Sequence, residues 1–268
     1  MGVARGPPVS GIERPGPPRR DGEIQRPGPP RRDGEIQMVF LDAGETILYP
    51  HPSFSELFAT VASDYGRPVA ASDVQEVRRR LAPHLVDIRE DSGAAGGASL
   101  SEEQSRAFWT LLYRRFLEEL GMPDEGLVER LFTVFSSTST YRLYDDVLPA
   151  LADLGDRGYR LGLISNFERW LEEMLVELEV GHIFDVTVIS GIEGVEKPDA
   201  TIYRRALEKA GVDASATVHV GDSPGLDVEP ARSVGMNTVL LDRLGHYGGH
   251  EGHRIASLKE LPDLLTKL

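Results

Sequence analysis

The sequence predicts an α/β protein, a doubly wound parallel sheet into which a helical unit is inserted. Three observations carry this expectation. From Asp145 onward, helical and strand-like stretches alternate, which is the signature of βαβ units and a parallel sheet. Residues 53–138 instead space their apolar side chains almost purely at helical intervals. Ahead of both, the apolar run Val39-Phe40-Leu41 stops at Asp42 and is followed by Ala43-Gly44-Glu45-Thr46. An apolar strand ending in an acid places that acid at the carboxyl edge of the sheet, where open α/β folds bind ligands.

Taken in order, residues 14–25 (Arg-Pro-Gly-Pro-Pro-Arg-Arg-Asp-Gly-Glu-Ile-Gln) recur unchanged as residues 26–37. Such proline and glycine density builds no core, so residues 1–37 are expected to form a disordered, partly polyproline-like tail. The strand at 39–42 follows directly. Residues 44–53 hold two prolines and a histidine and read as a short irregular excursion. Helical spacing then sets in at Phe54, Leu57, Phe58 and Val61, and again at Val74, Val77 and Leu81. Gly93 to Ala98 is a flexible loop. Ser101 with Gln104 predicts a capping box for a helix carrying Phe108, Trp109, Leu112, Phe116 and Leu120, and another helix runs from Leu127 to Phe135. Aromatics at this spacing are read as the unit's own core.

The alternating part predicts helix 145–157, strand 160–165, helix 168–178, strand 184–189, helix 199–211 and strand 217–221. A short helix near 227–234, a strand at 237–241 and a last helix near 257–267 complete it. Right-handed crossovers stack these strands into one sheet. The expected division is therefore a tail at 1–37, a core domain of 38–52 with 139–268, and a helical domain at 53–138.

Composition narrows the function. Formal net charge is −14, and residues 1–37 hold seven arginines against five acids, leaving the remainder more acidic still. Such a chain is a poor non-specific binder of nucleic acid or anionic membrane, so an anionic substrate must be held by local groups or a metal. The absence of cysteine excludes disulfides, thiolate catalysis and Cys-ligated metals. No run approaches the roughly 18 apolar residues of a membrane span, and residues 1–37 lack the apolar middle of a secretory signal. A cytoplasmic protein with no nucleic-acid or membrane partner is the expectation; the oligomeric state is not legible.

Four polar signals lie just past strand ends: Asp42 with Thr46, Ser165-Asn166, Lys197 before Pro198, and Gly221-Asp222-Ser223 with Asp227. A parallel sheet brings its carboxyl ends to one side, so these residues should converge. Facing carboxylates repel unless a cation lies between them, and Mg²⁺ bound by one or two carboxylates and by phosphate oxygens fits that need. Lys197 is the first of only four lysines, against 25 arginines. A compact ammonium can approach both a carboxylate and a phosphoryl oxygen.

In order, spacing and strand context these residues resemble the four motifs of the haloacid dehalogenase-like (HAD) superfamily, over residues 38–245. The resemblance implies a HAD-like Rossmannoid core with residues 53–138 as a C1 cap, and Mg²⁺-dependent phosphoryl transfer from a small phosphorylated substrate through an aspartyl-phosphate. It implies Asp42 as nucleophile, Thr46, Ser165 and Asn166 as phosphoryl-binding residues, and Lys197 as the neutralising cation. Mg²⁺ would be held by Asp42, the carbonyl of Gly44, Asp222 and, in support, Asp227.

One departure stands out. The residue two after the nucleophile in family phosphatases is a second aspartate, the general acid and base; here it is Gly44. Glu45 is the nearest replacement, and His51 a more distant one. A haloacid dehalogenase needs no metal and lacks the Gly-Asp pair of the fourth motif, which Gly221-Asp222 retains. A phosphonate-cleaving relative uses a lysine from the cap, and residues 38–196 contain none. A non-catalytic protein that binds Mg²⁺ and phosphate is the alternative from a different class. His246, His250 and His253 fall among glycines and read as a solvated loop.

Overall fold

A computed structural model describes residues 35–94 and 96–268. The predicted tail therefore lies outside the described residues up to position 34. Its last residues do not belong to it: Ile36 is buried in the main core, and Gln37 donates its N–H to the carbonyl of Ala216 at 2.8 Å. Among the described residues, Ile36 is the first whose apolar side chain is buried.

The sheet is built from β1 (Met38–Leu41), β4 (Arg160–Ser165), β5 (Val186–Ile189), β6 (Thr217–Gly221), β7 (Asn237–Leu241) and β8 (His253–Ile255). All pairings are parallel, in the order β5-β4-β1-β6-β7-β8. The chain winds outward to one side from β1 through β4 and β5, and to the other through β6, β7 and β8. Strand order thus reverses at β1, and the crevice at such a switch point opens above its carboxyl end. Asp42 is the next residue.

Alternation along β1 explains the layers. Val39 and Leu41 point into one apolar cluster with α6 (Val147–Asp156), α7 (Leu171–Glu177) and α11 (Leu261–Leu265). Met38 and Phe40 point into the opposite cluster with α9 (Ala200–Ala210) and α10 (Glu229–Ser233). A strand covered on both faces has no room for polar side chains, which is why β1 reads as an unbroken apolar run. Gly162, opposite Phe40 on β4, is required by this packing: a Cβ there would lie 2.6 Å from the Phe40 ring.

Between β1 and β4 the chain leaves the sheet. β2 (Leu48–Pro50) and β3 (Tyr141–Leu143) form an antiparallel ribbon that carries the chain out and back. Between them lie α1 (Phe54–Asp64), α2 (Ala71–Leu81), α3 (Leu85–Asp91), α4 (Glu102–Glu119) and α5 (Glu125–Phe135). These helices bury their own cluster, including Phe58, Val77, Phe108, Tyr113, Phe116 and Leu131. Ser53, Ser101 and Asp124 each accept a backbone N–H at a helix start, which satisfies an otherwise orphaned donor.

Five elements, β2, β3, α3, α8 (Ser190–Glu193) and β8, were not expected from the sequence. The β2/β3 ribbon pairs two three-residue strands, too short to show a period. α3 follows α2 after a single irregular turn, α8 is one turn long, and β8 occupies the segment read as histidine-rich loop, although His246 and its glycine neighbours are exposed as expected.

The C-terminal segment is tied to the ribbon by Asp146. Its buried carboxylate accepts from Arg243 at 2.8 and 3.0 Å, from the Ser257 hydroxyl at 2.7 Å and from the Leu258 N–H at 2.9 Å. Burial raises its pKa, but these donors outweigh burial and hold it below the usual value. The contribution is thus fully present above the unfolded pKa of about 3.9 and is lost as pH falls through the lower folded value. Asp146→Ala should cost about 2–4 kcal/mol at neutral pH. Urea denaturation should show the gap from wild type closing as pH falls below about 4.

Candidate active site

The loop after β1 is wound tightly. The Ala43 carbonyl accepts the N–H groups of Thr46, Ile47 and Leu48, while the Asp42 N–H donates to Val220 on β6 at 2.9 Å. That bond keeps Asp42 at the sheet edge although the strand has ended. Glu45 sits at φ +57°, a left-handed conformation that costs a residue with a side chain roughly 1 kcal/mol. The Thr46 carbonyl accepts from Arg243 at 2.8 Å, and that guanidinium stacks on the Tyr144 ring at 3.9 Å.

Lys197 lies at the centre, 3% exposed, with its Nζ 2.5 Å from Asp42 Oδ1 and 2.6 Å from Asp227 Oδ1. Asp42, Asp222 and Asp227 each offer one oxygen, and the three oxygens lie within 4.8 Å of one another. Three carboxylates thus face one ammonium. Burial raises the Asp42 carboxyl pKa, Lys197 opposes it, and Asp227 adds to the rise. Burial also leads the much larger rise at Asp222, which the charges of Asp42 and Asp227 reinforce. Asp227 moves the other way: burial raises it, but Lys197 and His219 together bring it well below the usual range. Burial lowers the ammonium of Lys197, and the two aspartates more than restore it.

Asp227 is held on every side. Its Oδ1 also meets His219 Nε2 at 3.1 Å, and its Oδ2 accepts the Ser223 N–H at 3.1 Å. His219 is fully buried on β6, and its Nδ1 has no partner among the described residues. If Nε2 carries the proton, as the carboxylate favours, the bare Nδ1 leaves no donor stranded. Gly221 is needed because the carboxylate of Asp227 lies directly over it: a Cβ there would sit 2.2 Å from Asp227 Cγ.

Asp42, Lys197, Asp222 and Asp227 are therefore brought together as the sequence predicts. Other expected residues have different surroundings. Asn166, expected to bind phosphoryl oxygen, spends its amide on the backbone of Lys197, accepting the Lys197 N–H at 2.7 Å and donating to its carbonyl at 2.8 Å. It positions the lysine segment. Glu45, the candidate replacement acid, already has donors on both oxygens, Arg78 from α2 at 3.0 Å and the Tyr144 hydroxyl at 2.8 Å. His51 is exposed on the ribbon beside Tyr49. Ser165 is buried at the end of β4, and the buried Thr46 hydroxyl has no hydrogen-bond partner among the described residues. A Cβ at Gly44 would meet nothing within 4 Å.

A family model described as haloacid dehalogenase-like hydrolase matches residues 36–235, the span that contains every one of these groups. The chain belongs to this family. It is similar to the haloacid dehalogenase-like hydrolase domain-containing protein 3 of Danio rerio, with 29% identity over 232 residues, covering 84% of this chain and 94% of that protein. It is also similar to a phosphoserine phosphatase of Thermus thermophilus, with 36% identity over 133 residues, 49% of this chain and 53% of that one. The solved L-2-haloacid dehalogenase from Xanthobacter autotrophicus shares the fold at a TM-score of 0.61 and 18% identity, covering 87% of this chain and 99% of that one.

The HAD-like hydrolase thus uses its parallel sheet as a frame for a buried charge cluster. His219, Arg78, Tyr144 and Arg243 were not singled out from sequence. Only His219 carried a usable signal: a histidine between two valines inside β6, two residues before Gly221 and therefore on the same face of the strand. No helix among the described residues is long and apolar enough to cross a membrane.

Gly221→Ala should destabilise the protein by about 1–3 kcal/mol, because the new methyl displaces Asp227 from Lys197. Gly225→Ala, where a Cβ meets nothing within 4 Å, should stay within about 0.5 kcal/mol of wild type. Chemical denaturation of the two variants side by side checks this.

Proposed function

We propose that this HAD-like hydrolase is a Mg²⁺-dependent phosphatase of a small phosphorylated metabolite, working through an aspartyl-phosphate on Asp42. The observation that carries the reading is the convergence of Asp42, Asp222 and Asp227 around the buried ammonium of Lys197.

The donor set fits the metal. Carboxylate oxygens are hard ligands that suit Mg²⁺, and the cluster contains no thiolate. Asp42, Asp222 and the Gly44 carbonyl would hold it, while Asp227, already engaged by Lys197, His219 and Ser223, supports them. When bound, Mg²⁺ supplies positive charge against the phosphoryl oxygens.

Asp42 attacks phosphorus through a carboxylate oxygen, the bond to the leaving oxygen breaks, and the acyl phosphate forms. Lys197 keeps its charge beside both the nucleophile and the arriving phosphoryl group. Ser165 and the free Thr46 hydroxyl bind phosphoryl oxygens. Water then attacks the acyl phosphate, releasing inorganic phosphate and restoring Asp42. The helical unit 54–135 acts as the cap that excludes water during the first step. Glu45 is taken up by Arg78 and Tyr144, so the leaving group departs without a dedicated proton donor.

Phenyl phosphate and acetyl phosphate should be hydrolysed with Mg²⁺ and not in chelator, alkyl phosphates much more slowly, and Asp42→Asn should be inactive. Gly44→Asp places a carboxyl where the structure has room and should raise alkyl phosphate turnover by up to about 10²-fold. Mg²⁺ and phosphate binding with no turnover, by both wild type and Gly44→Asp, would identify a binding protein instead.

Asp222→Asn removes one of three mutually repelling carboxylates. In chelator its melting temperature should exceed that of wild type, and the rise that Mg²⁺ gives wild type should disappear. Differential scanning calorimetry with and without Mg²⁺ reads both effects.

A further inference from the structure

Glu196, next to Lys197 in the chain, takes no part in the chemistry above, yet it is the most heavily solicited carboxylate at the junction with the helical unit. It is 8% exposed. The loop between α3 and α4 reaches it with the Ala98 N–H at 3.0 Å, the Ser99 N–H at 2.9 Å and the Ser99 hydroxyl at 2.6 Å, and Arg89 of α3 stands 3.6 Å away. The same Ser99 hydroxyl, whose proton goes to Glu196, lies 2.6 Å from that of Ser190 and accepts from it, and the Ser190 oxygen in turn accepts the Phe167 N–H at 2.9 Å.

Two routes therefore run from Ser99 to the catalytic lysine. One passes through Glu196 directly into the Lys197 backbone. The other passes through Ser190 to Phe167, whose neighbour Asn166 clamps the Lys197 N–H and carbonyl. Glycines on both sides allow the approach. Gly97, at φ +146°, would place a Cβ 2.6 Å from Glu196 Cδ, and a Cβ at Gly191 would lie 3.0 Å from the Ser99 carbonyl. A contact serving only cohesion between two units has no need to converge twice on one residue.

We propose that Ser99 and Glu196 form a buried polar node through which seating of the helical unit sets the position of Lys197, making Glu196 a positioning residue. Its effect on turnover rests on the phosphatase reading; its effect on the lysine does not. While the loop is docked, Lys197 is held against Asp42 and Asp227. When the loop lifts, Glu196 loses the donors of Ala98 and Ser99, the 196–199 segment is released, and the ammonium becomes accessible. Substrate exchange and assembly of the charge cluster are thereby one event.

The test uses the full-length protein and the four lysines as internal reporters. Glu196→Gln keeps the shape but replaces one accepting oxygen by an NH₂ group, so that either the Ala98 N–H or the Ser99 donors lack an acceptor. Ser99→Ala removes the hydroxyl from the other side and guards against a variant that fails to fold. Amine acylation followed by mass spectrometry should show Lys197 labelled several-fold faster in both variants, with Lys209, Lys259 and Lys267 unchanged. Hydrogen exchange should show faster exchange at residues 97–99. With phenyl phosphate, kcat should fall by about 10- to 100-fold while KM stays within about twofold, because the lysine is displaced more in the assembled state than the binding groups are. Faster exchange at 97–99 with Lys197 labelling unchanged would overturn the proposal, as would no loss of protection at 97–99. A uniform rise at all four lysines would also overturn it, since that reports general loosening. Labelling and exchange remain readable if phenyl phosphate is not hydrolysed at all, so failure of the phosphatase reading is separable from failure of the node.

Discussion

An ammonium buried between two carboxylates is the constraint on which the remainder of the structure depends. Taking Lys197 and its partners out of water costs several kcal/mol per ion, and only close geometry with every remaining lone pair satisfied recovers it. The fold supplies that geometry from separate elements. β1 and β6 are sheet neighbours, so Asp42 and the loop of Asp227 arrive side by side. Gly221 removes the side chain that would keep Asp227 away, His219 and Ser223 complete its hydrogen bonds, and Asn166 holds the lysine backbone from β4. Loss of any one leaves a buried charge without compensation, so the elements must be correct together.

That cluster is anionic even with Lys197 in place, which gives the acidic composition a local meaning. In the phosphatase reading, a phosphorylated ligand would approach a protein of charge −14 and then a site of three carboxylates, so attraction would have to come from short-range cations. Arg78 and Arg89 extend from the helical unit to Glu45 and Glu196, carboxylates that flank the nucleophile loop and the lysine respectively. The ionic contacts of the helical unit thus meet the core beside catalytic groups on two sides. Displacing that unit would break these contacts and so change the charge around the site, with no need for a separate signal.

Much of this was legible in sequence because parallel strands buried on both faces are unbroken apolar runs, and the groups that end them are polar. β4, β6 and β7 carry their expected boundaries, and three of the four signals supply the residues that converge, Asp42, Lys197 and Asp222 with Asp227, although Lys197 follows α8 rather than a strand end. What was not legible depends on contacts distant in sequence. β2 and β3 are strands only because each pairs with the other across some ninety residues, and β8 only because β7 offers it an edge. Asn166 looked like a phosphate ligand because it follows Ser165, and nothing local shows that its amide faces the Lys197 backbone. Ser99 and Glu196 are ordinary residues until the loop of one is seen against the carboxylate of the other.

The loop after Asp42 poses the sharpest physical question, since the resemblance implies an acid where Gly44 stands and the acid Glu45 comes one residue later. Gly44 has no left-handed backbone and no neighbour within 4 Å of an added Cβ, so neither conformation nor crowding demands a glycine there. Glu45, by contrast, occupies a left-handed conformation in which glycine would be unstrained, and holds it with a side chain bound to Arg78 and Tyr144. The loop keeps the shape of one that could bear an acid at position 44, while the adjacent carboxylate of Glu45 is spent on Arg78 of α2 and on Tyr144. In the proposed mechanism, Asp42, Lys197 and the metal-fitting carboxylates act on phosphorus, and none of them delivers a proton to the departing oxygen. In the phosphatase reading, the barrier is then governed by the basicity of the leaving group, and selectivity by leaving group follows from the loop itself before the helical unit makes any contact with substrate.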